Sequence, residues 1–74
     1  MPNHTYGLSE IVGTSPLSVD DAIRNGIERA SRTVRNLDWF EVVAIRGQLD
    51  NGMVAHHQVH MKLGFRIADP DDTA

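Results

Sequence analysis

The sequence predicts an α+β fold in which a three-stranded antiparallel sheet, built in the order strand, helix, strand, strand, partly wraps one helix. Three observations predict it. Apolar residues recur at spacings of three and four from Val19 to Leu37, the period of an amphipathic helix. From Met53 to Ile67 apolar and polar residues alternate, the period of a strand with one packed and one polar face. Between that strand and the apolar run opening at Trp39 lies Asp50-Asn51-Gly52, a hairpin signal.

The first strand is expected over about 5–12, where Tyr6, Leu8, Ile11 and Val12 mix with polar neighbours, and a turn at Gly13-Thr14-Ser15-Pro16 ends it. The helix opens at Ser18, a suitable N-cap, with Asp20 and Asp21 in the first turn where the helix dipole favours negative charge. Val19, Ala22, Ile23, Ile27, Ala30, Val34 and Leu37 form its buried stripe, and Arg24, Glu28, Arg32 and Arg35 its wet face. Gly26 inside the helix costs about 1 kcal/mol relative to alanine and marks a close neighbour.

Two strands follow, over about 39–49 and 53–67. A three-residue loop pairing Leu49 with Met53 is preferred, because it aligns Val43 and Ile45 with the apolar positions of the last strand, Gly52 supplying the left-handed residue of a bulged turn. This register sets Ala44 opposite Gln58 and Arg46 opposite His56, so that Arg46 and Gln58 are near neighbours on the polar face. That face also carries His56 and Lys62 and has no cover within the chain, so it is expected to line a subunit interface or a ligand cavity.

Seventy-four residues make one domain, 1–74, with an ordered core over about 4–68 and an acidic tail expected to be disordered. So short a chain buries only about 60% of its unfolded surface. With no cysteine to staple it, oligomerisation or exceptional packing must supply the missing stability. The net charge of −3 argues against a nucleic-acid surface. No basic segment leads into an apolar run and no stretch approaches the roughly 20 apolar residues of a membrane span, so a cytoplasmic protein is expected.

Trp39, the one tryptophan, is either a core anchor or a stacking platform for a planar ligand, since burial is the commonest fate of so large a ring. Gln58 alone reads as a polar residue on a wet face, and Arg46 and Arg66 serve phosphate contacts and ion pairs between subunits equally well. His56 and His60 share a strand face but stand about 13 Å apart, and His57 points the other way, so the three do not make a metal site within one chain.

Gly13-Thr14-Ser15, Asp21-Ala22-Ile23, Leu37-Asp38-Trp39-Phe40-Glu41-Val42 with Ile45-Arg46-Gly47, and Gln58-Val59 leading to Lys62-Leu63-Gly64-Phe65-Arg66 together resemble a bacterial dodecin over about 5–67. The resemblance implies a hollow homododecamer with sheets facing inward and helices outward, which binds flavin and is not an enzyme. It implies flavins held in pairs, their isoalloxazine rings stacked between tryptophans of two subunits, which maps onto Trp39. It maps a glutamine that hydrogen-bonds the pyrimidine edge of the ring onto Gln58, and phosphate-side arginines onto Arg46 and Arg66. FMN is the expected flavin, with riboflavin and FAD as alternatives and coenzyme A as a second ligand. The implied role is storage and buffering of flavin with photoprotection.

The residue chemistry agrees. An indole is the largest flat, electron-rich face available for an electron-poor ring, and stacking of this kind is worth about 1–3 kcal/mol by analogy with nucleobases. Gln58 offers a donor and an acceptor to the alternating groups of a pyrimidine edge. The resemblance carries one structural demand. By strict alternation Trp39 falls on the packing face and Gln58 on the polar one, so a bulge or strong twist near Phe40 to Val42 is required. The alternatives from other classes are a small FMN-dependent reductase or oxidase, and a coenzyme A-binding shell in which flavin is incidental. Against the first, the chain has no general acid or base beside the flavin edge other than histidines, and no nicotinamide motif.

Overall fold

A computed structural model describes residues 3–68, so the expected disorder of the acidic tail falls mostly outside the described residues. The elements are β1 (Tyr6–Ser15), α1 (Val19–Ser31), β2 (Leu37–Asp50) and β3 (Met53–Arg66). The three strands form one antiparallel sheet in the order β1-β3-β2, so the last strand in sequence is the central one.

The alternation of β3 places Val59, Met61 and Leu63 on one face, where all three are buried. Helix α1 covers that face over β1 and β3, bringing Ala22 into the buried cluster with Ile11, Val19 and Ile23 packed around it. The helix rests directly on β1 because Gly13 has no side chain. A Cβ there would overlap the Ala22 carbonyl oxygen, and one on Gly26 would meet Met61 Cε at 2.9 Å. Gly13, Thr14 and Ser15 therefore continue the strand to Ser15, three residues beyond the expected end, since they must reach under the helix and pair with Val59, Gln58 and His57.

The start of α1 is fixed by side-chain oxygen atoms. The Asp21 amide donates to Ser18 Oγ at 3.0 Å, completing the predicted cap. Ser15, buried in the joint, donates from Oγ to Asp21 Oδ2 at 2.6 Å and accepts from the Leu17 amide at 2.9 Å. Asn25 Nδ2 donates to the Thr14 carbonyl and to Asp21 Oδ2, both at 3.2 Å, so the end of β1 and the first helical turns are tied together. The helix ends at Ser31 although the apolar period runs on to Leu37. The Val34 amide still bonds the Ala30 carbonyl at 2.9 Å, but Asn36 takes a left-handed φ of 63° and turns the chain into β2. Strand β2 thus begins at Leu37, two residues before Trp39.

The hairpin corrects the expected loop. Asn51 and Gly52 have φ of 52° and 75°, the two left-handed residues of a type I′ turn, and Asp50 pairs with Met53 across a two-residue loop. Parity is restored one step later by a bulge at Ala55, after which Gln48 faces His56 and Ile45 faces Val59. Arg46 therefore stands opposite Gln58, not His56, and Ala44 opposite His60, not Gln58.

The molecule is 55 Å long and only 20 by 14 Å across, because the hairpin projects past the helix. Ile45, Leu49 and Met53 on this arm are exposed, Met53 at 73%, and so are Phe40 and Val42. No helix among the described residues is long and apolar enough to cross a membrane.

Candidate functional site

The face of the sheet turned away from α1 is the candidate site, and a backbone irregularity decides what stands on it. Strand β2 carries a second bulge at Val43, where Val42 pairs with Met61 and Ala44 with His60. The extra residue shifts the alternation by one. Phe40 and Val42 turn to the helix side, opposite Leu63 and Met61, while Trp39 and Glu41 turn to the open side, opposite Gly64 and Lys62. Trp39 and Gln58 thus share one face, and the irregularity required between Phe40 and Val42 is found one residue further on.

On that face the strands form rows. Leu8, Gly64 and Trp39 make one, Glu10, Lys62 and Glu41 the next, then Val12, His60 and Ala44, then Thr14, Gln58 and Arg46. Tyr6 and Arg66 pair beyond the first row. A third bulge, at Asp38 between Leu37 and Trp39, ends the regular pairing of β2 just before the indole.

Trp39 lies across the central strand. Its indole rests on the backbone of Gly64, where a Cβ would overlap the ring atoms Cδ2, Cε2 and Cζ2. The ring also meets Tyr6, with centroids 5.0 Å apart and planes at 64°, an edge-to-face pair. Seated on Gly64 and in contact with Tyr6, Trp39 keeps 42% of its surface exposed. It stands outside the buried core, which among the described residues consists of Ala22, Val59, Met61 and Leu63.

The other sequence-predicted residues divide between two ends of the face. Arg66 lies at the Trp39 end, opposite Tyr6; its amide donates to the Asn36 carbonyl at 3.0 Å and its carbonyl accepts from Asn36 Nδ2 at 3.3 Å. Gln58 and Arg46 form a cross-strand pair at the other end, with Gln58 half-buried and Arg46 exposed. Gln58 is six residues from Gly64 along β3, or roughly 20 Å at the rise of a strand. One planar ring cannot touch Trp39 and Gln58 of the same chain across that span.

Between the two ends, His60 Nε2 lies 2.6 Å from Glu10 Oε2, a diagonal contact from β3 to β1. His57 stands on the helix side of the sheet, level with Ser15, apart from His56 and His60. Among the described residues no three His, Asp or Glu side chains converge as a cation site. Sequence reasoning missed the two residues that hold the indole. Gly64 carried a signal, since a glycine inside a central strand marks a close approach by another group; Tyr6 carried none beyond membership of a strand.

The dodecin family model matches residues 5–68. The chain is 42% identical over 64 residues to the dodecin of Thermus thermophilus, an alignment covering 86% of this chain and 93% of that protein. It superposes on the dodecin of Streptomyces davaonensis with a TM-score of 0.88 at 65% identity, covering 92% of this chain and all of that one. The dodecin of Streptomyces coelicolor gives a TM-score of 0.88 at 59% identity, over 93% of this chain and 99% of that one.

Proposed function

Because the chain belongs to the dodecin family, whose members are small flavin-binding proteins, we propose that it stores and buffers FMN in the cytoplasm and quenches the photochemistry of the flavin it holds. The observation that carries this reading is the half-exposed Trp39 indole seated flat on Gly64, on the uncovered face of the sheet. One ring face is fixed by the protein and the other is left to a planar ligand.

Trp39 stacks on the isoalloxazine, and Gln58 meets its pyrimidine edge with a donor and an acceptor. Since these two side chains lie roughly 20 Å apart along one chain, the same flavin takes its tryptophan from one copy and its glutamine from another. That requirement supports a homo-oligomer, and the family's hollow dodecamer is the assembly proposed. Arg46 stands beside Gln58 and Arg66 beside Tyr6. From those places the guanidinium groups neutralise a phosphate, which favours FMN over riboflavin; FAD and coenzyme A present phosphates of the same kind.

Covering both ring faces explains a storage role without catalysis. With an indole on one side and a second flavin on the other, no substrate reaches the reactive positions. An indole in van der Waals contact donates an electron to the excited flavin and receives it back, so the excitation ends without passing to oxygen.

The test is illumination of FMN at equal concentration, free and mixed with excess apo-protein, with superoxide production as the readout and a nicotinamide donor assayed alongside. The expected result is a large fall in superoxide and no turnover of the donor. Superoxide equal to that from free flavin would contradict the quenching role, and steady turnover would favour a flavoenzyme.

A further inference from the structure

We propose that Tyr6 is a positioning residue of the flavin site, acting through the Trp39 indole. The inference rests on the flavin reading above and adds a member to its site from the opposite edge strand. Tyr6 is on β1, Trp39 on β2, and the central strand β3 separates them. The two rings meet because Gly64 lets the indole lie down across β3, and Leu8 and Gly64 make the row beside the pair Tyr6 and Arg66. The contact is edge-to-face at 5.0 Å and 64°.

The backbone of Gly64 stops the indole from sinking toward the sheet, but a flat seat alone does not fix rotation within its own plane or a tilt away from it. The edge-to-face contact with Tyr6 supplies that second restraint. A second aromatic group stands behind it, since the His4 ring lies 6.4 Å from Tyr6 at 77°. Stacking falls off quickly when two rings tilt or slide, so a pre-set indole binds a planar ligand without the entropic cost of ordering it at each encounter. Tyr6 is itself 41% exposed and outside the buried core, so its ring serves the indole more than the fold.

The chain's single tryptophan makes the test direct. Time-resolved fluorescence anisotropy of the apo-protein reads the motion of the Trp39 ring, and FMN titration reads its consequence, in wild type, Tyr6→Leu and Tyr6→Phe. Thermal melts of all three confirm folding. The expected result is a freer indole and FMN binding weakened about threefold to tenfold in Tyr6→Leu, with Tyr6→Phe restoring both because the edge contact needs the ring and not the hydroxyl. An indole as rigid in Tyr6→Leu as in wild type, or unchanged FMN affinity, would overturn the proposal. Failure of the flavin reading itself is visible separately, as unquenched FMN with the wild-type protein.

Discussion

A hydrogen atom at position 64 is what allows a tryptophan to lie flat on the middle of this sheet. Any side chain on Gly64 would occupy the space of the indole's fused ring. Gly64→Ala is therefore expected to lift or rotate Trp39 and weaken FMN binding about tenfold, a loss of the size that overpacking commonly costs, with FMN fluorescence quenching as the measurement and secondary structure by circular dichroism unchanged. Undiminished quenching would show that the seat is not needed. At this scale residue chemistry alone left Trp39 between core anchor and platform and Gln58 an ordinary polar residue, and it was the resemblance to dodecins that singled them out with Arg46 and Arg66. Trp39, Gln58 and Arg46 lie on the open face where a ligand would need them. Gly64 was readable in principle, as a glycine in the interior of a central strand. The partnership of Tyr6 with Trp39 was not, because it joins two distant positions on the two outer strands and depends on how the ring lies between them.

Among the elements, helix α1 and the three strands follow from periodicity, while their ends and registers do not. The helix stops six residues before the end of its apolar period, its bonds tightening to three residues apart at Arg32 and Thr33 before Asn36, in a left-handed conformation, turns the chain into β2, and periodicity registers neither change. The bulge at Val43 left no trace in composition. Val42, Val43 and Ala44 are all small and apolar, so the alternation passes through the extra residue silently. The bulge at Ala55 did worse, since it imitates the parity of a three-residue loop while the turn itself has two residues. Docking of α1 on β1 is the element-scale contact most open to test. Gly13→Ala drives a methyl group into the Ala22 carbonyl oxygen, a backbone atom that cannot swing aside. The expected outcome is a loss of about 1–3 kcal/mol, as for other forced overpacking, seen as a lower denaturant midpoint. An unchanged midpoint would mean that the helix sits less tightly on the strand than its geometry implies.

Taken as a unit, the folded chain leaves apolar surface uncovered on both sides of its hairpin arm, and the two ends of its candidate site too far apart to serve one ring. Both features point to assembly with further copies of the chain. Covering Phe40, Val42, Ile45, Leu49 and Met53 would bury the surface that so short a chain cannot cover for itself. Twelve copies of 8.2 kDa give a particle of about 98 kDa, and analytical ultracentrifugation of the apo-protein is expected to show one species of that mass; a monomer or dimer would remove the dodecameric proposal and with it the shared flavin site. The proposed storage, quenching and shared site all depend on Trp39 serving as the surface that a flavin stacks against. The most direct measurement is an FMN fluorescence titration of the apo-protein beside Trp39→Ala. Stacking on the indole predicts strong quenching on tight binding by the wild type, and in the variant loss of quenching with affinity lower by about five- to 150-fold, the range that stacking energies span. Equal quenching and equal affinity in the two proteins would contradict it.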